Sequence, residues 1–512
     1  MIRTHFVIAI FLAGSVSSFS NEPIQTESGL VSGAKSSVSD SVRVFKGIPY
    51  AAPPVGELRW KPPAMHTAWE GVRACDRFWN KCPQNGRLVR EGPFNEDCLY
   101  LNVWTPAKTD TDKLPVMVWI HGGGFTQGSA HEAAYMGDKI AQRGIVLVSI
   151  NYRLGAFGFL AHPLLSKESE QGVSGNYGIL DQIAALRWVQ KNIASFGGDT
   201  DNVTIFGESA GGTSVYLLTA SPLASGLFHR AILQSPWLSD SVVADLDAAL
   251  QLGESEVEKV IAEEITDQLA AMRALTTQQV LKMKQRLPVA TDGWMFPQSP
   301  HSIYANGKQN RVPTVAGTNR DEGTMFVAAK PYPSVELYLA EMEDKYGDDF
   351  EAMMKMYPVT NKDSIRKAAV QQITDSWFVG PTRRYLRSMQ RQGNDTWMYH
   401  FTRTSPAWPW LGAAHAAEIG YVFNTLEDDQ LKDGDKKIAD AMIRYWIQFA
   451  KTGDPNVAGI QNWPKYKIDS DEHLVIDKVM AVDRGLRRDA CDLLDKRLGS
   501  PAEAREAIGA GQ

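Results

Sequence analysis

Basic residues are not in excess. Lys and Arg number 53 against 59 Asp and Glu, a formal net charge of −6 over 512 residues. A chain with no basic surplus has little to set against phosphates, so nucleic-acid binding has no electrostatic footprint here. Cysteine is scarce, with Cys75, Cys82, Cys98 and Cys491 the four present. None forms a Cys-x-x-Cys pair, which leaves zinc ribbons and thioredoxin-like redox sites unsupported. His131-Glu132 begins like a zinc-protease motif, but Tyr135 stands where the second histidine would be needed. Beyond residue 20 no apolar run approaches the ~20 residues that a membrane-spanning helix requires. Glycine (42) and proline (26) are scattered rather than clustered, and no repeat or low-complexity tract interrupts the chain. Collagenous, coiled-coil and disulfide-scaffold classes are thereby excluded. What remains, at 44% hydrophobic and 22% charged, is the composition of an ordinary globular protein.

The first twenty residues, MIRTHFVIAIFLAGSVSSFS, carry Arg3, an apolar run from Phe6 to about Gly14, and small residues to Ser20. That pattern predicts a secretory signal with cleavage after Ser20. The mature chain, 21–512, is then expected in the periplasm or secreted, with no membrane span. Export makes disulfides possible. A bridge between Cys82 and Cys98, 16 residues apart, would contribute about 3 kcal/mol through loop entropy. Cys75 and Cys491 could also pair, since spacing alone fixes no connectivity.

Short β-branched runs alternate with helical patterns. Val116–Ile120, Ile145–Ile150, Val203–Phe206, Ala231–Leu233, Val312–Ala316, Trp397–Phe401 and Leu474–Ile476 read as strands. Between the second and third, Leu180, Ile183, Ala184, Leu186, Trp188 and Ile193 recur at helical spacing. This alternation predicts an α/β protein: one large unit with a mostly parallel central sheet and helices on both faces. Residues 240–290 and 335–395 are helical and charged, and read as insertions over one end of the sheet.

Residues 203–212, VTIFGESAGG, place Gly207-Glu208-Ser209-Ala210-Gly211 between a strand and a helix expected to begin near Gly212. This is G-x-S-x-G in the context it requires. A serine on so tight a turn needs small neighbours, because a side chain at 207 or 211 would collide with the strand or the helix. The turn lifts the hydroxyl clear and sets a helix N-terminus behind it, where negative charge is favoured. His121-Gly122-Gly123-Gly124 directly follows Val116–Ile120. Its bare N–H groups suit an oxyanion hole, with Gly123, Gly124 and Ala210 as donors. No Gly-Lys-Ser/Thr follows, so the loop is not a phosphate-binding P-loop.

A serine nucleophile needs a base, and the base an orienting carboxylate, in the order Ser, Asp/Glu, His for α/β-hydrolases. Downstream of Ser209 stand His229, His301, His400, His415 and His473. His415 lies in a small-residue loop, GAAHA, from which an imidazole can reach a cleft, whereas His400 alternates within a strand. Asp321 and Glu322 both follow the strand Val312–Ala316, at the edge where open α/β sheets place their sites. The residues themselves do not separate these two.

Several long motifs make the chain resemble the type-B carboxylesterase family: FKGIPYAAPPVGELRW (45–60), EDCLYLNVWTP (96–106), HGGGF (121–125), SGNYGILDQ (174–182), FGESAGG (206–212), GTNRDEG (317–323), HAAEIGYVF (415–423) and FAKTGDPN (449–456). The similarity spans about Gly29 to Cys491 and is most like exported bacterial members. It implies an α/β-hydrolase fold and hydrolysis of carboxylic esters by Ser209, Glu322 and His415 through an acyl-enzyme. It also implies a Cys82–Cys98 disulfide and an Arg59–Glu96 ion pair, a small-molecule ester as the partner, and no metal or cofactor. The sequence departs from the family at Ala416, where glycine is usual, and at Pro236-Trp237 after Gln234-Ser235, on the acyl side of the pocket. The loop between Cys82 and Cys98 has only Phe94 as an aromatic, so a cation–π site for choline esters is not expected. Trp237, Trp294, Trp408 and Trp410 are candidates to line an aromatic gorge. Rival readings are a non-catalytic binding protein on the same fold and a hydrolase of carbamates, amides or lactones.

Overall fold

Along the strand Leu114–Ile120, alternate side chains enter different cores. Val116, Val118 and Ile120 belong to one buried cluster, Met117 and Trp119 to another. A strand buried on both faces in this way must be central in its sheet. The computed structural model describes residues 22–86, 92–261, 265–327, 333–404, 408–427 and 431–497. The proposed export segment lies outside the described residues.

The main sheet has eleven strands: β1 (Ala34–Lys35), β2 (Arg43–Pro49), β3 (Tyr100–Thr105), β4 (Leu114–Ile120), β5 (Val146–Ile150), β6 (Gly198–Glu208), β7 (Arg230–Gln234), β8 (Thr314–Asn319), β9 (Thr396–Phe401), β10 (Glu472–Ile476) and β11 (Ala481–Arg484). Their order is β11-β10-β9-β8-β7-β6-β4-β5-β3-β2-β1. Pairing is parallel from β10 through β9, β8, β7, β6 and β4 to β5, and antiparallel toward both edges. This is the expected α/β architecture, a mixed and mostly parallel sheet. All seven expected strands are present. The antiparallel strands β2 and β3 were not foreseen, because their residues lie inside motifs rather than in apolar runs.

Helices cover both faces. Helix α1 (Tyr177–Asn192) lays Ile179, Ile183, Leu186 and Val189 on the first cluster. Helix α2 (Ala210–Ala220) packs beside it, against β6 and β7. Helix α3 (Gly380–Arg391) adds Tyr385, Leu386 and Met389 to the same side. Helix α4 (Asp435–Thr452) seals the other cluster with Ile438, Met442, Trp446 and Phe449. Residues 240–290 are helical as expected, but they also contribute a two-stranded ribbon, Val243–Asp245 with Val289–Thr291. In 335–395 the helices are interrupted by a π-helical turn, Thr374–Val379.

Cys82 and Cys98 are joined in a disulfide, while Cys75 and Cys491 are free and buried. Arg59 grips Glu96 with two hydrogen bonds, 2.8 and 2.6 Å. A comparable fork joins buried Arg153 to Asp181 (2.8 and 2.7 Å), tying the segment after β5 to α1. Among the described residues no helix is long and apolar enough to cross a membrane.

Candidate active site

After β5 the chain crosses to the other side of β4 to form β6. That reversal opens a crevice at the carboxyl ends of β4 and β6, where open α/β sheets hold their ligands. His121–Gly124 leaves β4 into this crevice and Ser209 leaves β6 into it. Asp321 and Glu322 follow β8, and the segment bearing His415 lies beyond β9.

Ser209 sits between β6 and α2 with φ 56° and ψ −122°, a conformation rarely adopted outside glycine. The turn is held by Ser209 N–H donating to the Gln234 carbonyl (3.0 Å) and Thr213 N–H donating to the Ser209 carbonyl (2.8 Å). A Cβ at Gly207 would lie 2.5 Å from the Gly211 carbonyl carbon, and one at Gly211 would overlap the Ile120 carbonyl. The small-residue requirement is therefore steric, as the motif suggested. The helix starts at Ala210 rather than near Gly212, which brings its N-terminus directly behind the serine.

The glycine loop runs against this turn. A Cβ on Gly122 would come 3.1 Å from Ser209 Cβ. Gly123 has φ +108°, and a side chain there would strike the Gln127 carbonyl. Among the described residues the N–H groups of Gly123 and Gly124 donate to nothing. The Ala210 N–H, at the first position of α2, has no intrahelical acceptor.

His415 Nδ1 lies 2.6 Å from Glu322 Oε2. The other oxygen of Glu322 accepts the Asn319 N–H at 2.7 Å. Asp321 faces elsewhere: it accepts the Ala413 N–H (2.8 Å) and pairs with Arg320, which fixes the histidine loop to the end of β8. His400 and His473 face each other on β9 and β10, and His229 accepts the Val203 N–H.

Two carboxylates near His415 were not singled out in the sequence. Glu208 Oε1 is 3.3 Å from His415 Nε2, an atom that makes no hydrogen bond. Glu418 is fully buried, accepts from Asn319 (2.6 Å) and Gln234 (3.2 Å), and is backed by Trp446 through Gln234 (3.0 Å). Both had a signal: Glu208 is the variable position of the serine motif, and Glu418 stands three residues after His415 in HAAEIGYVF. Burial lifts the Glu208 carboxyl well above its ordinary range, opposed by His415 and reinforced by Glu418 and Glu322. Glu418 is raised by burial and then by Glu322. For His415, burial would lower the pKa, but Glu208, Glu322 and Glu418 together push it up to about 9.

Aromatic rings wall the crevice. Phe378 and Phe326 lie 4.9 and 5.3 Å from His415, centroid to centroid, Trp377 lies 5.5 Å from Phe326, and Trp237 lies 6.3 Å from Trp377. Of the four tryptophans considered from sequence, only Trp237 joins this wall. Trp294 packs on the main core, and Trp408 and Trp410 are exposed. Trp377 and Phe378 come from the π-helical turn, which no periodicity marked.

Residues 20–494 match a profile described as the carboxylesterase family. Among curated proteins, the fumonisin B1 esterase of Sphingopyxis macrogoltabida is 40% identical over 461 residues, covering 86% of this chain and 84% of that one. The para-nitrobenzyl esterase of Bacillus subtilis (strain 168) is 36% identical over 484 residues, 90% and 96% respectively. A solved structure titled PNB esterase superposes with a TM-score of 0.80 at 33% identity, covering 93% of this chain and all of that one.

Proposed function

The chain belongs to the type-B carboxylesterase family and is a carboxylic ester hydrolase; from that premise we propose that Ser209, His415 and Glu322 are its nucleophile, base and acid. The observation that carries the reading is the disposition of His415: one ring nitrogen is held by Glu322 at 2.6 Å, and the other makes no hydrogen bond.

His415 takes the Ser209 proton as the hydroxyl attacks the ester carbonyl. Gly123, Gly124 and Ala210 receive the oxyanion through N–H groups that donate to nothing among the described residues, each worth about 3 kcal/mol in the transition state. His415 then protonates the departing alcohol, water repeats the sequence on the acyl-enzyme, and the acid leaves. Glu322 holds the imidazole tautomer and balances the imidazolium. Two relatives are named for fumonisin B1 and for para-nitrobenzyl esters, and the aromatic wall beside His415 supports an apolar acyl or alcohol group here. Residues 1–20 direct export and are removed near Ser20, leaving 21–512 as one catalytic unit. The Cys82–Cys98 bridge supports an oxidising destination.

Diethyl 4-nitrophenyl phosphate tests the nucleophile. It should release one equivalent of 4-nitrophenol per chain, abolish esterase activity and leave its diethylphosphoryl group on the peptide containing Ser209. An adduct on any other residue would remove Ser209 from the mechanism.

The pH profile tests the base. Protonated His415 cannot accept the serine proton, so kcat/KM for 4-nitrophenyl butyrate should rise as His415 deprotonates, on a limb displaced from 6.5 toward about 9. Glu208 raises the His415 pKa, so removing its charge lowers it. Glu208→Gln should therefore move the limb to lower pH by about one unit. An unmoved limb would show that some other group titrates.

A further inference from the structure

The interior of the site is rich in carboxyl groups, with Glu208, Glu322 and Glu418 around one histidine, yet its rim carries a cation. Arg286 lies on the connection between the short helix Thr277–Val280 and the strand Val289–Thr291. Its guanidinium comes over the oxyanion loop: Nη2 is 3.0 Å from where a Cβ on Gly124 would stand. The Cζ atom sits 4.9 Å above the Trp237 ring. Arg286 is exposed, and among the described residues it has no carboxylate partner and makes no hydrogen bond. Lys282 and Lys284, both exposed, precede it on the same segment. Glu256, which reaches this connection from the helix Leu246–Glu258, is already engaged: it binds Lys259 through one oxygen (2.6 Å) and the Lys284 N–H through the other (2.7 Å).

An arginine serving structure is ordinarily forked onto a carboxylate, as Arg59, Arg153 and Arg383 are in this protein. Arg286 instead has its guanidinium over an indole, Cζ 4.9 Å from the Trp237 ring centroid, which leaves its N–H fork available to two oxygens of a ligand. The fork stands beside Gly124, one of the N–H groups assigned to the ester oxyanion. A single small molecule could place its ester carbonyl on the loop and a second oxygen anion on Arg286. Trp237 follows Gln234-Ser235-Pro236, the segment whose Gln234 carbonyl holds the Ser209 turn; the anion is assigned to the acyl half of the ester, the part that stays on Ser209 in the acyl-enzyme.

We propose that Arg286 is a specificity-determining residue that binds a carboxylate on the acyl group, making short half-esters of dicarboxylic or polycarboxylic acids preferred substrates of this site. The inference rests on the ester-hydrolase mechanism above. Arg286 takes no part in bond breaking. It holds a free carboxylate while Ser209 attacks the neighbouring ester carbonyl, and the products are the alcohol and the diacid.

The test compares monoethyl glutarate with ethyl pentanoate, acyl chains of equal length that differ in a terminal carboxylate, each followed by pH-stat titration. The readout is the ratio of their kcat/KM values within each variant, which divides out any general loss caused by a substitution. Wild type should favour the glutarate half-ester by about tenfold. Arg286→Met should bring the ratio near one or below it, and Arg286→Lys, which keeps the charge without the fork, should restore part of it. The wild-type ratio should also fall as ionic strength rises, because the pair is exposed. Hydrolysis of ethyl pentanoate with no preference for the half-ester, or a preference that survives Arg286→Met, overturns the inference and leaves the ester hydrolase standing. Loss of both activities in wild type, or their persistence in Ser209→Ala, overturns the mechanism itself and the inference with it.

Discussion

Ser209→Ala is expected to lower kcat for 4-nitrophenyl butyrate by about 10⁵-fold, with the residual rate still above that of water. The residue is asked to supply a covalent path, and no neighbour can replace it: Thr213, the next hydroxyl on α2, donates to the carbonyls of Ser209 and Trp237. What survives is transition-state binding by the free N–H groups of the glycine loop and α2, which water attacking directly can still exploit. The substitution should leave the fold intact. The turn is held by backbone bonds to Gln234 and from Thr213, neither of which involves the serine hydroxyl, and alanine bears the positive φ at a cost similar to that of serine. Steady-state kinetics beside circular dichroism and a melting curve would check both halves. A variant that folds and keeps its rate would show that Ser209 is not the nucleophile.

Glu322→Gln should cost about 10⁴-fold in kcat with KM little changed. The reason lies in which oxygen does what. Oε1 accepts the Asn319 N–H at 2.7 Å, and Oε2 faces His415 Nδ1 at 2.6 Å. A glutamine must keep its carbonyl toward Asn319, because an amide NH₂ there would meet another N–H. Its NH₂ then points at Nδ1 and compels that nitrogen to accept, which drives the ring proton onto Nε2, the atom that has to receive the serine proton. The variant would hold an almost unchanged structure in the wrong tautomer. Glu418→Gln provides the comparison. Its oxygens accept from Asn319 and Gln234 rather than from the histidine, so its effect on kcat should be much smaller. If Glu418→Gln proves the more damaging change, the orienting acid has been misassigned.

Legibility from sequence followed the range of the forces involved. The parallel core could be read because each central strand is apolar on both faces, so Val116–Ile120 announces itself without knowledge of its neighbours. β2 and β3 could not, since RVFKGIP and YLNVWT mix polar and apolar residues whose burial depends on which strand lies alongside. For the site, the serine turn and glycine loop are local devices in which side-chain size decides backbone shape. Spacing left Asp321 and Glu322 unresolved, and family similarity alone favoured Glu322. In the fold, Asp321 binds the Ala413 backbone while Glu322 faces the imidazole. Arg286 carried no local signal. KMKQR reads as an ordinary solvated stretch until Trp237 and Gly124 are found beside it.

Chemistry and selection are written on different parts of this chain. The groups proposed to break the bond spring from the ends of β4, β6 and β8 and from the segment beyond β9, whereas Arg286, Trp377 and Phe378 come from the insertions at 240–290 and 335–395. Those insertions contribute none of the strands of the main sheet. Substitutions in them can change which molecules are admitted while the central sheet is untouched. Such a protein can drift among substrates without passing through an inactive ancestor, and a mutant library confined to those two stretches would sample new selectivities at little risk to the fold.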